Sequence, residues 1–150
     1  MIVFAIIFSY ILLGYVLAII LKRNDIADVM WGPGIFLTII STFLLYSNTG
    51  LNYALPLLLL VFLWAYRIFS HIGKRFISKK EEDFRYAQWR QTWKWFYTRS
   101  FFQVFLLQGF LMMCVGSTLS FFFISSITPQ TYFYIFGILV ALFGLSFETI

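Results

Sequence analysis

Residues 67–99 read RIFSHIGKRFISKKEEDFRYAQWRQTWKWFYTR, and they form the one extended polar stretch in a chain of 150 residues. Together with Lys22 and Arg23, this stretch holds all eleven Lys and Arg residues of the protein, and it also contains the single His. The sequence on either side is almost entirely apolar. The polar stretch therefore separates two groups of hydrophobic segments.

The composition excludes an ordinary water-soluble domain. Hydrophobic residues make up 61% of the chain and charged residues only 11%, whereas soluble domains carry about 25% charged residues. Too few polar side chains are available to cover a globule in water. We therefore expect an integral membrane protein whose solvent is the lipid bilayer, with its Trp and Tyr side chains enriched at the membrane–water interface.

The net charge of +5 raises the question of an anionic partner. Basic and aromatic residues alternate in residues 85–94, a pattern that also occurs in proteins that bind single-stranded nucleic acid. In a chain this apolar, the simpler partner is an anionic lipid headgroup, which contributes about 1 kcal/mol per basic residue near the surface. We predict anionic lipid headgroups at the basic loop and no nucleic acid.

The apolar segments predict an all-α fold, a polytopic membrane helix bundle of about five transmembrane helices, because about 20 apolar residues cross a bilayer. The first segment lacks the preceding basic residues and the cleavage site of a signal peptide, so it is predicted to remain as a span. Only short uncharged turns join the second span to the third and the fourth to the fifth. The prediction is a single membrane domain over residues 1–150, with spans at 1–21, 30–46, 51–69, 101–124 and 132–150 and a loop at 70–99.

The distribution of basic residues predicts the orientation. Because spans alternate in direction, the connection after the first span and residues 70–99 share one face of the membrane, and all eleven Lys and Arg lie on or beside that face. The positive-inside rule places such a face in the cytoplasm. We predict an N-terminus outside, and a basic loop and C-terminus in the cytoplasm.

One interfacial amphipathic helix is predicted within the polar stretch. Ser78 and Glu81 have the spacing of a capping box, and the aromatic residues that follow recur at helical spacing, at Tyr86, Trp89, Trp93 and Phe96. Such a helix can be a surface anchor with its rings among the headgroups, or a lid over the cytoplasmic mouth of the bundle. The residues alone leave both interpretations open.

Motifs for familiar chemistry are absent from the sequence. No dinucleotide fingerprint follows a strand, and His71 has no Cys or His at the spacing of a metal site, so no metal is expected. Ionisable residues at the rim of a membrane bundle remain as functional candidates. Asp28, Arg67 and Glu148 are predicted either to converge on a cytoplasm-facing pocket or to include a structural ion pair of Arg67.

The order and spacing of several short motifs resemble the bacterial branch of the steroid 5-alpha-reductase family, known as domain of unknown function 1295. The resemblance covers nearly the whole chain. It rests on Asn24-x-x-x-Asp28-Val29-x-Trp31-Gly32, Trp64-x-x-Arg67, Glu82-Asp83-x-Arg85-Tyr86, Phe102-Gln103 and Gly144-x-x-x-Glu148.

The resemblance implies a membrane-embedded NADPH-dependent reductase of a C=C bond in a small hydrophobic substrate, lipid-like or steroid-like, in which an acid–tyrosine pair polarises a conjugated carbonyl. It implies that Asp28 lies near the substrate and that Tyr66, which precedes Arg67 in the sequence, is a proton donor. Four residues are implied in cofactor binding, namely Arg67 toward the phosphates, Arg85 and Tyr86 in a loop over the cavity, and Glu148 at the start of the cofactor signature.

The chain ends at Ile150, before the Asp and the basic tail that continue the signature in such a family. We therefore expect the N-terminal part of a longer protein, incomplete or inactive as this chain and weak in binding NADPH. The alternative is a non-enzymatic small membrane protein, an assembly or lipid-interacting subunit. Either would reside in the bacterial cytoplasmic membrane.

Overall fold

The computed structural model describes residues 1–125 and 128–147, and the regular structure of these residues is entirely helical. The all-α prediction is confirmed. In chain order the elements are α1 (Ile2–Leu21), α2 (Ile26–Val29), α3 (Trp31–Tyr46), α4 (Leu51–Ser78), α5 (Phe84–Thr92), α6 (Phe96–Ser100), a π-helical segment (Phe101–Leu106), α7 (Leu107–Ile124) and α8 (Thr131–Phe147).

Three helical stretches within the described residues are long and apolar enough to cross a membrane. They are α1, α4 and the continuous stretch Phe96–Ile124, which α6, the π-helical segment and α7 form together. The second and fifth predicted spans correspond to α3 and α8, which have only 16 and 17 residues and so rise about 25 Å at 1.5 Å per residue. The chain is a multi-pass helical membrane protein.

The boundaries of the polar loop differ from the prediction. α4 continues past residue 69 to Ser78, and helix resumes at Phe96, so both flanking spans extend into the predicted loop at 70–99. The end of α4 is stabilised from outside, because Arg23 Nη1 donates to the carbonyl oxygens of Phe76 at 2.8 Å and Lys79 at 2.6 Å. Carbonyls in the last turn of a helix have no partner within it, and this side chain supplies one.

The predicted capping box is wrong for the same reason. Ser78 is the last residue of α4, so it cannot begin the next helix. The N-cap of α5 is Asp83, whose side chain accepts a hydrogen bond from the backbone N–H of Arg85, and carboxylates are strong N-caps.

The short helix α3 lies at the centre of the packing, against α1, α4 and α7. Small residues allow this close approach. A Cβ added at Gly32 would lie 2.9 Å from the backbone oxygen of Ala65 in α4, and one at Gly116 in α7 would lie 2.9 Å from the Thr38 side chain. Thr38 is buried, and its hydroxyl donates to the Gly34 carbonyl at 3.0 Å. Because this hydroxyl has a partner, it can lie on the side of α3 that faces the core.

The two ends of the bundle differ in charge. At one end, Asn48 Nδ2 donates to the carbonyl of Ile124 at 2.8 Å and Tyr134 donates to the carbonyl of Tyr53 at 2.7 Å, and the turn residues there are uncharged. At the other end, residues 22–28 contact residues 75–100 through charged side chains. The structure thus places the two basic connections at one end, as the sequence predicted.

Candidate functional site

Asp28 lies in the single turn of α2 and binds two residues of α5. Its Oδ1 accepts a hydrogen bond of 2.8 Å from the Tyr86 hydroxyl, and its Oδ2 accepts one of 3.0 Å from Arg85 Nη2. The side chain of Asp28 is 21% exposed, so the carboxylate is reachable from outside although each of its oxygens has a donor. Three residues that the sequence nominated are therefore brought together.

Asp83 positions this pair of donors. Its carboxylate caps α5, and its Oδ1 also accepts a bond of 3.0 Å from Arg85 Nε, while Arg75 Nη2 approaches its Oδ2 at 3.3 Å. Burial alone would raise the pKa of the Asp83 carboxyl, but the hydrogen bonds from Arg85 and the charges of Arg85 and Arg75 outweigh it and the pKa is lowered. Asp83 is thus held as a carboxylate that orients Arg85 toward Asp28.

Tyr86 is a buried phenol held against the bundle. It is 3% exposed, and burial, together with the nearby Asp28 charge and the hydrogen bond to Asp28, raises its pKa above the usual value near 10. The phenol therefore keeps its proton and acts as a hydrogen-bond donor at neutral pH.

The aromatic stripe of the polar stretch faces the protein. The ring of Trp89 meets Tyr86 edge-on at 5.3 Å and stacks on Trp93 at 4.9 Å, both Trp side chains pack against the buried core, and Phe96 is buried. The rings stack on one another and pack against the core, which favours the interpretation of a cover over the bundle, while their position relative to the headgroups stays a prediction. Exposed aromatic rings at this end are those of Phe84, Trp95 and Tyr97.

A cavity of about 320 Å³ adjoins the carboxylate of Asp28. This is the volume of a small-molecule pocket. Its wall combines a carboxylate, two guanidinium groups, an amide and an indole, and the lining residues are Asp28, Trp31, Ile72, Arg75, Arg85 and Gln108. Arg75 and Arg85 are about half exposed, at 54% and 48% of the side chain, so they can meet an anionic or carbonyl oxygen entering the cavity.

A second network, which the sequence reasoning missed, holds the loop after α1 against α5. Glu82 accepts the backbone N–H of Asn24 at 2.7 Å, and it pairs with Arg90 through bonds of 2.9 and 2.8 Å. Asn24 Nδ2 in turn donates to the Ser100 hydroxyl. Asn24 and Glu82 belong to the motifs of the family resemblance, and their presence there was the one signal in the sequence that pointed to them.

The other nominated residues lie apart from Asp28. Tyr66 is 60% exposed on α4 and lines an apolar groove with Phe62 and Pro33, so it does not share the Asp28 cavity. Arg67 Nη1 donates to the Leu145 carbonyl in α8 at 3.4 Å, which places it against the last helix. Glu148 lies outside the described residues, so the predicted convergence of Glu148 with Arg67 and Asp28 stays a prediction.

Among residues 1–125 and 128–147, no group of His, Cys, Asp and Glu is arranged to hold a metal ion. The charged residues of the site instead bind one another, with guanidinium groups left partly open to solvent. The arrangement is suited to hydrogen bonding and to anion recognition.

Comparison with known proteins identifies the family of the chain. The family model described as "Protein of unknown function (DUF1295)" matches residues 14–150, a range that contains Asp28, Asp83, Arg85 and Tyr86. No curated protein and no solved structure shows significant similarity to the chain. Because the family model covers nearly the whole sequence and every residue of the site, the chain belongs to the DUF1295 family.

Proposed function

We propose that this protein is a membrane-embedded NAD(P)H-dependent reductase of a lipid-like or steroid-like substrate, acting on a C=C bond conjugated to a carbonyl. The observation that carries the proposal is the hydrogen bond that Tyr86 donates to Asp28, a residue that lines a ligand-sized cavity. The family resemblance supports it in part, because it implies an acid–tyrosine pair that includes Asp28, although it gave Tyr86 to the loop that binds the cofactor.

The structure suggests a different tyrosine from the one that the motifs first indicated. Tyr66 lines the apolar groove beside α4, whereas the hydroxyl of Tyr86 donates directly to Asp28. In the proposed mechanism Tyr86, and not Tyr66, is the donor, and its one O–H turns from Asp28 to the substrate carbonyl when the substrate binds. Burial and the Asp28 charge hold the pKa of Tyr86 above the usual value, so Tyr86 donates a hydrogen bond but does not transfer its proton. Water supplies the proton that the α-carbon gains.

Asp28 and Arg85 have supporting roles. Asp28 orients the phenol of Tyr86. Arg85 Nη2 donates to the other carboxylate oxygen of Asp28, and the guanidinium group of Arg85 can also donate to a carbonyl oxygen in the cavity. When bound, the nicotinamide nucleotide would supply a hydride to the β-carbon. The partly exposed guanidinium groups of Arg75 and Arg85 fit an anionic ligand such as a nucleotide phosphate, and Arg67, with Glu148, remains a predicted cofactor contact.

A direct test uses the full-length protein, with any sequence that its gene encodes after Ile150, in lipid nanodiscs with NADPH and a steroid enone. We expect enone-dependent oxidation of the nucleotide, and a loss of about a hundredfold or more in kcat/KM for Asp28→Asn and Tyr86→Phe, since a positioned donor contributes two to four orders of magnitude. Tyr132→Phe is the matched control, because Tyr132 is 88% exposed. If the wild-type protein neither binds NADPH nor oxidises it, the proposal fails.

A second candidate is a non-enzymatic lipid-interacting role. It is favoured by the exposed basic and aromatic residues beside α6, which are Lys94, Trp95, Tyr97 and Arg99. We propose that these residues bind anionic headgroups on the cytoplasmic side, a role compatible with the reductase. Native mass spectrometry would show retained phosphatidylglycerol, and its loss in a Lys94→Gln, Arg99→Gln double variant with activity unchanged would separate the two functions.

A further inference from the structure

Gln108 lines the cavity beside Asp28, and its amide oxygen is an unsatisfied acceptor. It lies on α7, it lines that cavity, and its Oε1 is buried with no hydrogen-bond partner among the residues that the structure describes. A buried amide oxygen without a donor is unfavourable, and it costs most where water is excluded. The contacts of the folded chain alone give no reason for a Gln at this position.

The backbone before Gln108 is also irregular. The helix from Phe96 to Ile124 contains the π-helical segment Phe101–Leu106, and the N–H of Leu107 bonds to the carbonyl of Phe102, five residues earlier. A π-helical turn adds a residue, and it turns all later side chains by about 100° around the axis relative to an uninterrupted helix. Such turns are rare and are found frequently at functional sites.

The position of Gln108 is held by the residue that follows it. A Cβ added at Gly109 would lie 2.6 Å from Cγ1 of Ile11 in α1, so α7 and α1 are in close contact one residue from the amide. Gln103, five residues earlier on the same continuous helix, is exposed. The π-helical turn and the Gly109 contact thus direct one of two similar side chains into the cavity.

We propose that Gln108 Oε1 is the acceptor that recognises a hydrogen-bond donor on the ligand, an O–H or an amide N–H, once the amide turns toward a ligand in the cavity. The ligand class is then a molecule with an oxygen acceptor for Arg75 or Arg85 and a hydrogen-bond donor for Gln108. This inference rests on the proposed function for the choice of probes. The donor can belong to the lipid-like substrate or to the carboxamide of the nicotinamide.

Two matched pairs of probes separate these sources. The first pair is a steroid enone with a distal hydroxyl and the same steroid with a ketone in its place. The second is NADPH and its acetylpyridine analogue, in which a methyl ketone replaces the carboxamide. Binding to the purified protein in nanodiscs is measured for the wild type, for Gln108→Met, which removes the acceptor at nearly constant volume, and for Gln103→Met as the control.

We expect the wild type and Gln103→Met to bind the donor-bearing member of one pair about tenfold more tightly than its partner. A preference in the steroid pair would assign the donor to the substrate, and a preference in the nucleotide pair would assign it to the carboxamide. Gln108→Met should reduce this preference to less than about twofold. Its thermal midpoint without ligand should be equal to or above that of the wild type, because a buried acceptor without a partner is removed.

Four results would overturn the inference. If Gln108→Met keeps the wild-type preference, or the wild type binds but has no preference in either pair, the inference fails while the reductase proposal stands. If Gln108→Met is strongly destabilised without ligand, the amide is structural and the inference again fails alone. If the wild type binds none of the four probes, the proposed function fails together with it.

Discussion

The hydroxyl of Tyr86 donates a hydrogen bond of 2.8 Å to Oδ1 of Asp28, across a separation of 58 residues. This contact joins α5 to the start of the second span, and it makes one side chain both a structural link and the proposed catalytic donor. Tyr86→Phe keeps the ring packing on Trp89 and removes only the hydroxyl. Since hydrogen bonds to charged groups contribute about 1.5–3 kcal/mol, we expect a loss of stability of that order.

The stability of Tyr86→Phe is measured by thermal unfolding in detergent, with Tyr132→Phe beside it. The control should stay within about 0.5 kcal/mol of the wild type, as exposed substitutions generally do. Equal stability of all three proteins would mean that the contact between Tyr86 and Asp28 does not hold α5 in place.

The ion pair of Glu82 and Arg90 should stabilise the network that also holds Asn24. Both side chains are largely buried, at 10% and 30% exposed. We expect the double variant Glu82→Gln, Arg90→Gln to lose less stability than the sum of the losses of the two single variants. The difference should be about 1 kcal/mol after allowance for the exposed part of Arg90. A double-mutant cycle of thermal stability checks this, and strict additivity would contradict it.

Asp83 predicts an acid-dependent loss of stability. Its pKa is lowered in the folded protein, in which burial is outweighed by hydrogen bonds from Arg85 and by Arg75. The sign follows directly: the stabilisation is fully present above the unfolded pKa of about 3.9 and is lost as the pH falls through the lower folded pKa. Asp83→Asn keeps an N-cap acceptor but removes the charge.

The difference in thermal midpoint between the wild type and Asp83→Asn should therefore be constant near neutral pH and should shrink between about pH 4 and pH 2. Unfolding curves at a series of pH values test this. A difference that grows on acidification would assign the wrong sign to the Asp83 interaction.

Gly32 should not tolerate a side chain. An added Cβ meets the Ala65 backbone oxygen at 2.9 Å, and backbone cannot move aside as a flexible side chain can. We expect Gly32→Ala to cost about 1–3 kcal/mol and to lower activity by displacing Trp31 and Asp28. Gly137→Ala is the matched control: nothing lies within 4 Å of its Cβ, so helix propensity alone should stabilise α8 by up to about 1 kcal/mol.

The orientation of the bundle is testable by thiol labelling. In a Cys114→Ala background, Lys94→Cys should react with a membrane-impermeant maleimide only after cells are permeabilised, because the basic end is predicted to be cytoplasmic. Gly50→Cys, at the uncharged end with open space around it, should react in intact cells. The reverse pattern would invert the predicted topology.

Sequence reasoning predicted the helical class and the shared face of the two basic connections, because hydropathy and charge distribution act over whole segments. It placed the helix boundaries less well. Ser78 resembled an N-cap, yet Arg23 supplies partners for the final carbonyls of α4 and Asp83 caps the following helix. Local capping signals cannot reveal a side chain that arrives from 53 residues away.

The residues of the candidate site were likewise predicted only in part. The family motifs nominated Asp28, Arg85 and Tyr86, and the structure brings them together, but the motifs alone suggested Tyr66 as the partner of Asp28. The pairing depends on the direction in which α5 is docked, and that direction is set by the contacts of Asp83 and Glu82. No spacing within the sequence encodes such a docking.

The length of α4 has a final consequence. Its 28 residues rise about 42 Å, against a hydrocarbon core of about 30 Å, so its last turns extend beyond the acyl chains. Ile72 and Arg75, on that extension, line the same cavity as Gln108 on the spanning helix α7. On the predicted topology the cavity lies where the bilayer meets the basic face, so we expect a ligand dissolved in the bilayer and one dissolved in water each to have a route to it.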